Sequence, residues 1–161
     1  MGLSVTEAFD VKAMADFMRV PELYWATRDA LAPPPECIDF AGHMMQPTVW
    51  TVAAMWEQQI IGYVQVVLRT SIMGEVTTAF HPLCRGRFAK VVGEYVIERA
   101  FGEKGYAKLV AVVPTDNRRA IVAAKVLGFV VEGRLTKAIV RQPHGLTDLL
   151  VFGLCRESWS H

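Results

Sequence analysis

Cysteine is scarce in this chain, and metal-binding patterns are missing. Cys37, Cys84 and Cys155 are widely separated and odd in number. No Cys-x-x-Cys pair and no Cys/His cluster has ligand spacing, which argues against zinc and against a disulfide framework and points to a reducing cytoplasm. No apolar run approaches the roughly 18 residues that a membrane helix needs. The N-terminus lacks a basic stretch ahead of an apolar core, so no secretory leader is expected. "MGLSVT" fits the loose myristoylation pattern through Gly2 and Thr6, and is read as a chance match within an N-terminal strand. An excess of charge of one sign is lacking too. The 17 Lys and Arg against 16 Asp and Glu leave a net +1, so neither nucleic acid nor a membrane is an expected partner.

What is present suits a folded enzyme-sized domain. The 161 residues are 52% apolar and 20% charged, enough for one substantial core, and a single domain over 1–161 is expected. Leu3 to Ala8 reads as a strand. Asp10 caps a helix bearing Val11, Met14 and Met18 on one face. Glu22 to Leu31 reads as a second helix, stopped by Pro33-Pro34-Pro35, with a loop to about Pro47. Three strands follow: Thr48–Trp56, Ile60–Thr70 and Glu75–Phe80. Arg87 to Phe101 carries Phe88, Val92, Val96 and Ala100 at helical spacing. The apolar run Ala107–Val113 predicts a strand covered on both faces. A helix from Asp116 to about Leu127 ends at Gly128. Phe129–Arg141 and Leu146–Cys155 then flank "QPHG" as a hairpin. Helices alternating with strands around a buried run predict an α/β (α+β) fold, with helices on both faces of a mixed sheet.

One stretch breaks the charge balance. "HPLCRGRFAK", His81–Lys90, places Arg85, Arg87, Lys90 and His81 around Gly86 at a strand-to-helix junction. There the first helical N–H groups lack internal partners and the helix dipole favours an anion. Gly86 lets backbone approach a ligand, and the two arginines can add charge-assisted bonds to a pyrophosphate. The alternative is a solvated turn with surface cations. Walker and dinucleotide-binding glycine patterns are both absent.

"HPLCRGRFAK", "TDNRRAIVAAKVLGFVVEGR" and "GLTDLLVFGLCRE" together resemble the GNAT family of N-acetyltransferases. The resemblance is nearest to the branch that acetylates ribosomal-protein N-termini. It covers about Glu75–Trp159, which it identifies as an acetyl-CoA-binding core (75–159). Residues 1–47 correspond to the family's variable substrate side, and the first 70 residues match only in element order. The implied fold is a central, mostly antiparallel mixed sheet with helices on both faces. Two departures stand out. With Ala89 in the last place of the family's pyrophosphate loop, Cys84 replaces the usual Gln or Arg, and Arg87 stands at the central glycine. The tyrosine often found seven residues after Asn117 is Ala124.

The resemblance implies acetyl transfer from acetyl-CoA, a co-substrate, to a primary amine by direct attack, with no metal. It implies cofactor contacts from Phe80, Cys84, Arg85, Gly86, Arg87, Phe88, Ala89, Lys90 and Asn117. The strands about Glu75–Phe80 and Leu109–Val113 are expected to part around the pantetheine arm. The backbone N–H of Phe80 would serve the oxyanion. Asn117 reads either as a pantetheine contact or as a plain helix cap. Glu75 is the candidate base, against a solvated strand-end glutamate, and His81 is the weaker one. Tyr24, Trp25, Trp50 and Tyr63 either line an acceptor pocket or fill the core. The acceptor is a small-molecule or peptide amine, and a homodimer is among the expected assemblies. The rival reading is a non-catalytic CoA-binding or interaction protein on the same fold.

Overall fold

The computed structural model describes residues 2–160. In chain order the elements are β1 (Leu3–Thr6), α1 (Val11–Met18), α2 (Pro21–Tyr24), α3 (Phe40–Met44), β2 (Val49–Trp56), β3 (Gln59–Leu68), β4 (Met73–Phe80), α4 (Arg87–Gly102), β5 (Lys108–Pro114), α5 (Arg118–Val126), β6 (Val130–Arg141) and β7 (Gly145–Cys155). The strands form one seven-stranded sheet in the order β1-β2-β3-β4-β5-β7-β6. Every neighbouring pair is antiparallel except β4 and β5. This is the mixed, mostly antiparallel sheet that the sequence implied.

Local chemistry explains the early boundaries. The Asp10 carboxylate accepts the Ala13 N–H at 2.7 Å and starts α1, whose Met14, Ala15 and Met18 are buried. Glu57 and Gln58 hold φ of 47° and 72°. Two successive left-handed residues twist the β2–β3 hairpin in the sense of its strands, so Trp56 pairs directly with Gln59.

Helices cover both faces of the sheet, but not all of it. Val92, Val96 and Ile97 of α4 and Ala124 of α5 pack on Leu109, Val113, Phe152 and Leu154. On the other face, Met14, Met18, Phe40 and Met44 pack on Ala53 and Tyr63. The helices α1 and α3 reach only the β2–β4 side. The strand predicted to be covered on both faces is therefore covered on one. Leu109 is fully buried while Val112 is 38% exposed.

The predicted second helix, Glu22–Leu31, is the larger correction. Only the single turn Pro21–Tyr24 forms. The Arg141 guanidinium donates to the carbonyls of Trp25 (2.9 Å), Ala26 (2.8 Å) and Arg28 (3.0 Å), which a continuing helix would have used internally. The Asp29 carboxylate then takes the N–H groups of Leu31 and Val140, at 2.7 and 2.9 Å. A tertiary clamp thus overrides local helical propensity. The expected loop before Pro47 also contains α3, started by Asp39 accepting the Gly42 N–H at 2.8 Å.

Candidate active site

The site begins where β4 and β5 separate. Their parallel pairing runs through Met73↔Lys108, Gly74↔Leu109 and Glu75↔Val110 and stops there. β4 nevertheless continues against β3 as far as Phe80, and β5 against β7 as far as Pro114. The two halves of the sheet twist apart. On β5 the gap opens at Ala111, two residues beyond the expected Leu109.

Strand alternation fixes which backbone groups face that gap. The His81 N–H donates to Ile61 O at 2.8 Å, so Ala79 and Thr77 also turn to β3. Val76, Thr78 and Phe80 turn the other way, toward β5; the Val76 N–H is still taken by Val110 O in the last parallel bridge, and the N–H groups of Thr78 and Phe80 lie beyond it. Similarly, the Thr115 N–H donates to Asp148 O at 3.0 Å. Val113 and Ala111 therefore face β7, and the N–H and C=O of Val112 face the gap. Two rows of unpaired amide groups oppose each other across an opening, which suits an extended guest carrying amides of its own. Phe80 closes one row at the mouth. Its ring lies against Gly62, its cross-strand partner, in space that a side chain at 62 would occupy.

Just past the mouth the chain turns into α4. The Cys84 N–H donates to His81 O at 2.8 Å, and the His81 Nδ1 accepts the Leu83 N–H at 3.3 Å. Gly86 takes φ 69° and ψ −125° as the cap residue and supplies no side-chain cap. Lys90 N–H donates to Gly86 O at 3.1 Å. Among the described residues, the N–H groups of Arg87, Phe88 and Ala89 meet no acceptor. Nothing lies within 4 Å of where a Gly86 Cβ would stand, so backbone donors at the head of a 16-residue helix face open space. Arg87 is helical and needs no special conformation. The positive φ falls on Gly86, one place before the family's glycine.

The flanking cations differ in availability. Arg85 and Arg87 are exposed, the latter with its guanidinium 5.4 Å from the Phe88 ring centre. Lys90 is engaged by Glu94 at 2.7 Å. Cys84 is fully buried, and burial pushes its thiol up to about 11. Only its backbone could reach a ligand. Cys84 is accordingly expected to resist a water-soluble thiol reagent until the protein unfolds, whereas exposed Cys37 reacts at once. Mass spectrometry of native and denatured samples checks this, and native labelling of Cys84 would contradict the packing.

Asn117 stands just past the open end of β5 and caps α5, its Oδ1 accepting the Ala120 N–H at 3.2 Å. Its side-chain N–H₂ has no partner among the described residues and is free for a ligand. Ala124 is buried in the core beneath. Glu75 lies at the closed end of the gap, five residues and about 17 Å along β4 from Phe80. Its Oε2 accepts from the Arg69 Nε at 2.7 Å. The structure does not bring these two candidates together.

The four aromatic candidates are divided. Tyr24 and Tyr63 share the core on the α1–α3 face, with Trp25 4.8 Å from Tyr24. Trp50 packs on the opposite face, with Lys104 Nζ 4.9 Å from its ring centre. Sequence reasoning missed Arg28, whose guanidinium lies 5.2 Å from the Tyr24 ring centre. It also missed Arg141, which meets Asp116 at 3.1 Å. The clamp of Arg141 on the carbonyls of Trp25, Ala26 and Arg28, which shapes the turn carrying Arg28, spans more than a hundred residues, for which the local pattern holds no signal.

A strand pair that parts beside a capless glycine and a helix head is what the sequence resemblance required. The model of the acetyltransferase (GNAT) family matches residues 17–129, more than half of the chain. The chain belongs to the GNAT family. It is an acyl-CoA-dependent N-acetyltransferase that transfers an acetyl group to an amine, and the non-catalytic alternative is not favoured. A GNAT acetyltransferase from Streptococcus pneumoniae is similar, at TM-score 0.77 and 19% identity over 95% of this chain and 99% of that one. Spermidine N-acetyltransferase from Vibrio cholerae, in complex with CoA and spermine, has a TM-score of 0.79 at 16% identity, covering 98% and 97%. Ribosomal-protein-S5-alanine acetyltransferase from Vibrio fischeri has 0.77 at 16%, covering 100% and 97%. At such identities these likenesses show the shared GNAT fold and do not choose a branch. No curated protein sequence matches the chain. No helix among the described residues is long and apolar enough to cross a membrane.

Proposed function

We propose that acetyl-CoA docks along the parted strands, with its pyrophosphate on the head of α4. The observation that carries this reading is the pair of opposed, unpaired amide rows ending beside Gly86. Acetyl-CoA supplies an acyl group activated as a thioester. Arg85 and Arg87 hold the diphosphate charge together with the N–H groups of Arg87, Phe88 and Ala89. Cys84 contributes backbone only. Lys90, already paired with Glu94, adds a screened charge. The free N–H group of Thr78, the Val112 amide and the Asn117 side chain orient the pantetheine arm. The Phe80 N–H is the donor placed for the acyl oxygen, where a single such donor is typically worth a hundred-fold or more in rate. The acceptor is a small-molecule or peptide amine reaching the mouth from the α1–α3 face, past the exposed Trp25, while Tyr24 and Tyr63 stay in the core beneath. That a neighbouring fold holds CoA and spermine supports the arrangement. Three free thiols fit a reducing cytoplasm.

Saturating acetyl-CoA, at about 100 times its dissociation constant, is expected to add roughly 2.7 kcal/mol of stability. A calorimetric melt unmoved by acetyl-CoA would refute the docking. Thiol release across a panel of amines identifies the acceptor.

Glu75 serves as acceptor of the amine's proton only by way of water, given its distance from Phe80 and its pairing with Arg69. A direct general base contributes about 10²–10⁴-fold. Glu75→Gln is therefore expected to keep more than about a tenth of wild-type turnover, below the range of direct catalysis. A hundred-fold loss at unchanged CoA affinity would instead make Glu75 the direct base.

A further inference from the structure

Beside the mouth of the gap lies a pocket of about 280 Å³, lined by Trp25, Arg28, Ala30, Arg141 and Gln142. Its position follows from its neighbours. Tyr24, under the Arg28 guanidinium, shares a cluster with Tyr63 and Ala79. Tyr63 and Ala79 are cross-strand partners, one residue from Phe80. The pocket's other wall, Arg141, is tied to Asp116 just past the open end of β5.

The charges around this pocket are unequal. Arg141 is satisfied by the Asp116 carboxylate and three carbonyls. The Asp29 carboxylate is occupied by the N–H groups of Val140 and Leu31, which hold it below the usual carboxylate range. Arg28 is exposed and pairs with no carboxylate among the described residues. No acidic residue lines the pocket. Its one uncompensated charge is a cation, set over an aromatic ring and next to the indole of Trp25. A polyamine brings only positive charge to such a wall. An amine that also carries a carboxylate brings the complement, and a guanidinium fork matches a carboxylate's two oxygens.

We infer that the acceptor is an aminocarboxylate, with Arg28 taking its carboxylate while its amine enters the mouth beside Phe80. This rests on the placement of the acyl group at that mouth, so CoA affinity is measured separately, by titration calorimetry. Thiol release is followed for free amino acids and their amides, for peptides differing only as Glu or Gln, and for spermidine.

Wild type is expected to favour the carboxylate over the matching amide by about ten-fold or more in kcat/KM, the value of one charge-assisted bond. The free amino acids and the peptides show which source the site accepts. Arg28→Gln should abolish that preference through KM, leaving kcat and CoA affinity unchanged, and Arg28→Lys should restore part of it. A wild-type preference for spermidine, or a carboxylate-to-amide ratio unchanged in Arg28→Gln, overturns the inference. Failure to bind CoA overturns the docking reading alone.

Discussion

Gly86→Val is expected to raise the dissociation constant for acetyl-CoA by about 5- to 150-fold, corresponding to 1–3 kcal/mol of backbone strain. Gly86 sits at φ 69° and ψ −125°, a region that a β-branched residue reaches only with strain. The variant can relieve that strain by rotating the loop, which turns the N–H groups of Arg87 and Phe88 away, and binding must then restore it. The added side chain also projects into the open space in front of those donors. Lys90→Ala is the control. Lys90 and Glu94 are both well exposed, and losing such a pair changes little, within about three-fold. Titration calorimetry on both variants makes the comparison, and equal losses would show that charge rather than backbone geometry holds the diphosphate.

Arg141→Ala is expected to destabilise the protein by about 3 kcal/mol, toward the low end for breaking a buried ion pair because water still reaches the site. The side chains of Arg141 and Asp116 are only 11% and 17% exposed. Removing the guanidinium leaves Asp116 without its partner and frees three carbonyls in the turn after α2. For a chain of this size, such a loss lowers the melting temperature by roughly 6–12 °C. Arg141→Lys should recover little, since an ammonium cannot reproduce a planar fork serving four acceptors. Denaturant unfolding measures the first effect. Because the turn borders the acceptor side, KM for the amine should rise while CoA affinity holds. A variant as stable as wild type would mean that Asp29 alone fixes the turn.

Both expectations depend on features that were unequally visible beforehand. The loop was legible because its parts are consecutive: a strand end, His81-Pro82, Gly86 and an apolar-faced helix. Its family departure was legible as a substitution, but not its resolution. Only the backbone shows that Gly86 takes the strained position and leaves Arg87 helical. Asn117 was legible as either cap or ligand contact, and its Oδ1 does cap. Trp50 and Tyr63 could not be told apart by composition. Strand alternation assigns each to a face, and which face the helices α1 and α3 cover is a tertiary matter.

Local periodicity and punctuation by themselves determined the strands and the helices α1, α4 and α5, because capping, turn chemistry and burial patterns act over a few residues. Asp10, the Glu57–Gln58 turn, Gly128 and the alternating strands needed no distant partner. Tertiary structure decided where β4 and β5 part, why the segment after Tyr24 is not a helix, and which charges remain uncompensated. Each depends on groups far apart in sequence, such as Asp29 with Val140 and Arg141 with the turn it clamps. A guanidinium or carboxylate that meets its partner only across the folded sheet leaves no mark on the local pattern around it.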